Sequence, residues 1–552
     1  MHRRSFLSLT ALAAVGVPLV TACEDDPVAT IATSSATSSA GAPGGRREDG
    51  SVATSFHYRQ HEVTAAFGPA VVHDNLAVLR VQVLAVTPLD GATQDPPQLG
   101  LPWQGAALLA SGTRGIRVLD LEAATVAESV GAENTLLDTA DLVPASSTPS
   151  PGTGSGGRTR TLTTYCAFQA PADGVTSVNL LVPRVGLVED VAVLGEDDSP
   201  FDAPTALHIC GDLDRDAGTP VAISSFVTSY DLSTSVQQEG KEVTMALGSD
   251  LLFDPDSSTL GPDADATLRQ VADELATYGG GALTITGHTD DVADDAHNQT
   301  LSEQRAQALS DRLGQLTDLS SYTVTVQGKG EGEPKVDNTD DASRALNRRV
   351  EIAVTTESPA ALPDVNGEGT DQASASPSAV APQAGEELPE TSGPIVSNDE
   401  VEIVWGDGGT LVVGAPTVRR VGGYLLGTLV VRGGAEGSGV SVGSWLAPDL
   451  LVTVRGQMSL RLAFATSGVR LLGQGQRYFP LDYVKASDGD TYWPLTEVMA
   501  EETLVAGEEM TVTVWWPDPG TDTVVLDYAS TSSWIPEDAL PSWRITDVPV
   551  DA

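Results

Sequence analysis

The sequence predicts an α+β multidomain protein, in which a central βαβαβ domain is flanked by two β-sandwich domains. Three observations carry that reading. Helical periodicity is confined to the middle of the chain. There Leu268, Val271, Ala272 and Leu275 recur at i, i+3, i+4 and i+7, and Leu301, Leu309, Leu313 and Leu316 form a second stripe. Short alternating apolar runs, punctuated by Gly, Pro, Asp and Ser, fill the chain on both sides. Ser-, Thr-, Ala- and Pro-rich stretches without apolar period mark the joints between units. At 552 residues, 41% of them hydrophobic, the chain can bury several cores.

Residues 1–23 read as a targeting segment. Arg3-Arg4-Ser5-Phe6-Leu7 has the form of a twin-arginine signal, although such pairs also begin ordinary secretory signals. The mainly apolar run from Leu9 to Val20 is too short to span a bilayer core of about 30 Å. Val20-Thr21-Ala22-Cys23 has the form of a lipobox, so Cys23 is expected to carry a lipid (palmitate among its acyl chains) and to anchor an exported chain to a membrane. Residues 24–54 read as a flexible tether whose r.m.s. reach is about 30 Å.

Residues 55–230 read as a β-sandwich, Ig-like in the loose sense, with alternation at Leu76–Val83, Gly115–Leu121 and Val175–Val182. Residues 146–158, with Pro149-Ser150-Pro151-Gly152, form an insertion. With Cys23 assigned to lipid, Cys166 and Cys210 remain as an even pair on an exported chain. A disulfide between them would contribute about 4 kcal/mol by the chain-entropy model, and two buried thiols are the alternative.

Residues 398–552 read as a second copy of the same sandwich. Gly115-Ile116-Arg117-Val118-Leu119 is echoed by Gly468-Val469-Arg470-Leu471-Leu472. Phe168-Gln169-Ala170-Pro171-Ala172-Asp173-Gly174 parallels Trp515-Trp516-Pro517-Asp518-Pro519-Gly520, and Asp190-Val191-Ala192-Val193 parallels Asp547-Val548-Pro549-Val550. Order and spacing both hold. Residues 357–397, rich in Ser, Pro, Ala and Glu, read as a disordered linker.

The formal charge of −46, from 76 acidic against 30 basic residues, argues against nucleic acid as a partner. It also opposes attachment to anionic lipid by bulk charge, so any membrane attachment has to come from the lipid anchor. A P-loop is missing, and neither an enzyme nor a cofactor is expected. His288, Asp290, Asp294, Asp295 and His297 lie within ten residues, but they lack the spacing of a zinc site or a calcium cage, and no metal is expected.

The central domain carries the chemistry. The apolar strand Ala282–Ile285 runs toward Asp290, an acidic loop follows, and a helix then presents Arg305. Thr300 with Glu303 reads as the capping box of that helix, or Ser302 as its cap, which would place Arg305 in the second turn. A carboxylate holds an ammonium and a guanidinium forks onto a carboxylate, so Asp290 and Arg305 suit a zwitterionic amino-acid head group. An ordinary Asp290–Arg305 salt bridge is the alternative.

Five motifs then occur in order. They are Leu252-Phe253-Asp254-Pro255-Asp256, Gly287-His288-Thr289-Asp290, and Asn298 with Leu301-Ser302 and Arg305-Ala306. Gly328-x-Gly330-Glu331 with Pro334 and Asn338 follows, and then Arg344-Ala345-x-Asn347-Arg348-Arg349-Val350-Glu351. In this pattern residues 243–356 resemble the OmpA-like peptidoglycan-binding domain. The resemblance implies that Asp290 and Arg305 grip the diaminopimelate side chain of the peptidoglycan stem, with Asp256, Asn298 and Arg348 lining the site. One departure is Ala293, where the family usually has glycine. The implied function is that of a cell-envelope lipoprotein tethering membrane to wall without a covalent bond. The alternative is an extracellular adhesion or ligand-display protein, whose sandwiches bind a protein or glycan while the central domain only anchors it.

Overall fold

The computed structural model describes residues 45–59, 61–88, 115–132, 137–138, 162–211, 213–214, 218–262, 264–355, 387–404, 409–434, 440–441, 450–455, 466–485, 492–495, 503–529 and 541–551. The targeting segment with Cys23, the tether up to residue 44, the insertion 146–158 and most of the linker lie outside them. The described chain is mixed α/β and rich in strand.

The flanking segments repeat one order of strand pairing. In the first, His61–His73 pairs antiparallel with Leu76–Pro88, which pairs with Leu162–Gln169. Ser177–Val182 pairs with Arg117–Asp120 and with Gly186–Leu194, and the latter runs parallel to His61–His73. In the second, Thr417–Val421 pairs antiparallel with Tyr424–Gly433, which pairs with Glu509–Pro517. Thr523–Tyr528 pairs with Arg470–Gly473 and with Trp543–Asp551, and the latter runs parallel to Thr417–Val421. The tight hairpins match as well. Asp74 and Asn75 in one and Gly422 and Gly423 in the other all have positive φ, as a two-residue turn between twisted strands requires. Asp190 and Asp547, paired by the sequence repeat, sit at φ of 58° and 57°.

The two repeats touch directly. Tyr58 and Arg59 pair with Met510 and Glu509, and Leu119, Val126, Leu181, Val421, Leu426 and Trp515 share one buried cluster. Trp515, Trp516 and Trp543 are fully buried, and Trp516 Nε1 donates to Val469 O at 2.8 Å, so these aromatics are core.

The expected disulfide is not formed. Cys166 and Cys210 are both buried, but side chains alternate across a strand, and the two thiols lie on opposite faces of Leu162–Gln169. Cys166 and Phe168 enter one core, whereas Tyr165 and Ala167 enter another that contains Cys210. The Cys210 Sγ instead donates to Ala206 O at 3.3 Å.

In chain order, the central elements are β1 (Val221–Ser229), β2 (Thr234–Glu239), β3 (Glu242–Gly248), α1 (Ala264–Thr277), β4 (Gly281–Gly287), α2 (Asp295–Leu316), β5 (Tyr322–Gly328), α3 (Asp341–Asn347) and β6 (Arg349–Thr355). Their sheet runs β1–β2–β3–β6–β4–β5, antiparallel throughout except for the parallel pair β4–β5. Val243, Met245 and Leu247 from β3, Leu283 and Ile285 from β4, and Val350, Ile352 and Val354 from β6 share a core with the helices. The helices contribute Leu268, Val271, Ala272 and Leu275 from α1 and Leu309 and Leu313 from α2, which are stripe residues of the sequence. The sheet does not stop at the central domain. Val221 and Ala222 of β1 pair with Val126 and Thr125 of the first repeat, and Val227–Ser229 pair with Gln476–Tyr478 of the second.

The start of α2 differs from expectation. The helix begins at Asp295, and Asp294 is its N-cap, its carboxylate accepting from His297 N at 3.1 Å. Thr300 lies inside the helix with its Oγ1 bonded to Ala296 O, and Arg305 falls in the third turn. Two glycines let α2 lie close on the sheet. A Cβ on Gly287 would stand 2.1 Å from Ser302 O, and one on Gly328 would stand 2.4 Å from Glu303 N.

Candidate functional site

The five residues expected at the site converge at the end of β4. Backbone bonds from His288 N to Arg349 O and from Thr289 N to Gly330 O carry the chain out of the sheet and deliver Asp290 to a cleft. Asn298, in the first turn of α2, is buried, and its Nδ2 lies 3.1 Å from Asp290 O, 3.2 Å from Ala293 O and 2.6 Å from Glu331 Oε2. One amide thus staples the acidic loop to the helix and to the glycine turn after β5.

The Asp290–Arg305 salt bridge is not formed. Asp290 Oδ2 accepts instead from Arg348 Nη1 at 2.8 Å, and Asp290 Oδ1 accepts from Val292 N at 3.3 Å. Arg305 is 3% exposed, its Nε donates to Ser257 O at 2.8 Å, and its guanidinium lies over the Phe253 ring at 5.3 Å. No carboxylate lies within ion-pair distance of Arg305 among the described residues. Burial holds its guanidinium below the ordinary arginine value, opposed by the charges of Asp250, Asp256 and Asp290 and reinforced by that of Arg348. A buried guanidinium without a carboxylate partner is costly, and a ligand carboxylate would relieve that cost.

Asp256 has φ of 53° and faces His297 across the cleft, with Oδ1 and Nε2 2.6 Å apart. His288 points elsewhere. It is buried 3.6 Å from Glu351, so the two histidines of the acidic stretch do not meet. Among the described residues, no group of His, Cys, Asp and Glu is disposed to hold a metal ion.

Asp250 was not among the expected site residues. Its carboxylate takes Arg348 Nε at 3.1 Å and Arg348 Nη2 at 2.6 Å, a bidentate fork. Hydrogen bonds donated to Asp250, and after them to Asp290, push the Arg348 guanidinium well above its ordinary value. The contact follows from register, because Gly248 of β3 faces Arg349 of β6 and Ser249 N donates to Arg348 O. Only the pairing of β3 with β6 could have revealed it in the sequence.

Residues 252–348 match the OmpA family. Over 122 residues the chain is 34% identical to the outer-membrane lipoprotein YfiB of Pseudomonas aeruginosa, covering 22% of this chain and 71% of that protein. The chain belongs to the OmpA family. Outer membrane porin F of P. aeruginosa is 40% identical over 108 residues, which is 20% of this chain. The chain spans about a third of the length of the porin F relatives it matches (31% and 32%). Among solved structures, the cell wall anchor of the P. aeruginosa T6SS is 32% identical with a TM-score of 0.21, covering 23% of this chain and 89% of that one. The peptidoglycan-associated lipoprotein from Burkholderia pseudomallei is 28% identical with a TM-score of 0.17, covering 18% and 86%. All of these similarities cover about a fifth of the chain, whereas the OmpA-like domain shares its sheet with strands of both flanking repeats.

Proposed function

We propose that the OmpA-like domain binds peptidoglycan in the cell envelope, gripping the zwitterionic end of diaminopimelate between Asp290 and Arg305. Arg305 would receive the ligand carboxylate and Asp290 the ammonium. Asn298 and Arg348 would hold Asp290 and its loop in place, and Asp256 would line the opposite wall. The observation that carries this reading is the buried Arg305 guanidinium, which no carboxylate among the described residues pairs while acids stand around it. A lipid on Cys23 would hold the chain to a membrane, so that the whole molecule links membrane to wall. The flanking repeats read as two copies of an Ig-like β-sandwich, supported by their shared order of pairing.

Sedimentation with purified sacculi tests the reading. Diaminopimelate-containing sacculi should retain the protein, and sacculi with lysine at the same stem position should retain it less, because lysine has no distal carboxylate for Arg305. Equal retention on both wall types would rule out the zwitterion grip.

A further inference from the structure

The cleft holds two guanidiniums, and they are in opposite states. Arg348 is fully engaged, its Nε and Nη2 on Asp250 and its Nη1 on Asp290. Arg305 gives one bond to a backbone carbonyl and has no acidic partner within ion-pair distance among the described residues. The other charged side chains nearby are mostly acids already held. Asp256 lies against His297, Asp291 against Arg344, and Glu331 against Asn298. Among the described residues of the cleft, a ligand therefore finds one cation to receive one carboxylate, and every further carboxylate it brings meets an acidic wall.

We infer that Asp250 is a specificity-determining residue, which by occupying the Arg348 fork restricts the cleft to stem peptides whose carboxylates other than the gripped one are amidated or otherwise neutral. This rests on the proposed peptidoglycan reading and names the stem chemistry that the site selects. Asp250 lies outside the grip itself and acts through Arg348 as a positioning residue. Its carboxylate is 60% exposed at the rim, so removing its charge is compatible with folding.

The test uses the full chain and two forms of a synthetic Ala–γ-Glu–diaminopimelate tripeptide. In one form every carboxylate is free. In the other the glutamyl and C-terminal carboxylates are amidated, and the distal ammonium–carboxylate end is left intact. Wild type should bind the amidated form more tightly by roughly fivefold, the size of one carboxylate–carboxylate repulsion across a partly hydrated cleft. Asp250→Asn frees Arg348 to accept a second carboxylate and should cancel or reverse that preference, whereas Asp250→Glu should restore it. The ratio within each variant is the readout, since a merely structural loss weakens both peptides alike. Equal binding of the two forms by wild type, or an unchanged ratio in Asp250→Asn, overturns the assignment while the peptidoglycan reading stands. Failure of wild type to bind either form removes both.

Discussion

At the scale of single residues, the cleft sorts its charges by what each still lacks. Asp290 is held on both oxygens and Arg305 on one nitrogen, so the two contribute unequally to a ligand. Asp290→Asn and Arg305→Lys should each weaken sacculus binding about tenfold or more, because a charged hydrogen bond is worth roughly 1.5–3 kcal/mol. Sedimentation on diaminopimelate sacculi, with circular dichroism as a check on the fold, measures both. Glu351 supports a separate prediction. Burial would raise its carboxyl, but His288 and Arg349 outweigh that and hold it at about 2, below the ordinary value of 4.5. Its contribution to stability is therefore complete above about pH 4.5 and is lost as pH falls toward 2. The stability difference between wild type and Glu351→Gln, from urea unfolding, should shrink across that window and stay constant above it. The five residues proposed for the site were named in the sequence because each belongs to a short motif, and the fold brings them together. Asp250 was not, because its partner Arg348 is 98 residues away and only strand register brings them together.

At the scale of elements, the interior of α2 was legible and its start was not. Leu309 and Leu313 announce the helix through their spacing, but Asp295, Ala296 and His297 are exposed and leave no apolar trace. The start is set by the Asp294 cap, and Asp294→Ala should cost about 1 kcal/mol, read from chemical denaturation. β2 was invisible for a similar reason. Thr234–Glu239 is half-buried along its whole length and polar except for Val236, so neither face shows a hydrophobic alternation. Gly287 gives a sharper prediction. The backbone of α2 lies where its Cβ would be, so Gly287→Ala must push helix and strand apart. That shift moves Asn298 and Arg305 away from Asp290. Peptidoglycan binding should fall by about tenfold or more even in protein that remains folded, since misplacement of about 1 Å is enough to break charged hydrogen bonds.

At the scale of the whole molecule, the sheet of the OmpA-like domain is also the sheet of its neighbours. A fragment of residues 243–356 would bare the edge of β3, whereas one of residues 232–356 keeps β2 paired to it. The longer fragment should be more stable to urea and remain monomeric at concentrations where the shorter one associates, as size-exclusion chromatography would show. β1 goes further and joins both repeats to the domain between them. This changes the meaning of the segment that follows β6. Thr355 ends a strand of the shared sheet, and Ile395–Ser397 pairs with Trp543–Asp551 of the second repeat, so residues 356–394 leave one body and return to it. Both ends of that stretch are thus fixed by strand pairing, so the place of the second repeat relative to the cleft is set by the shared sheet rather than by the stretch between them.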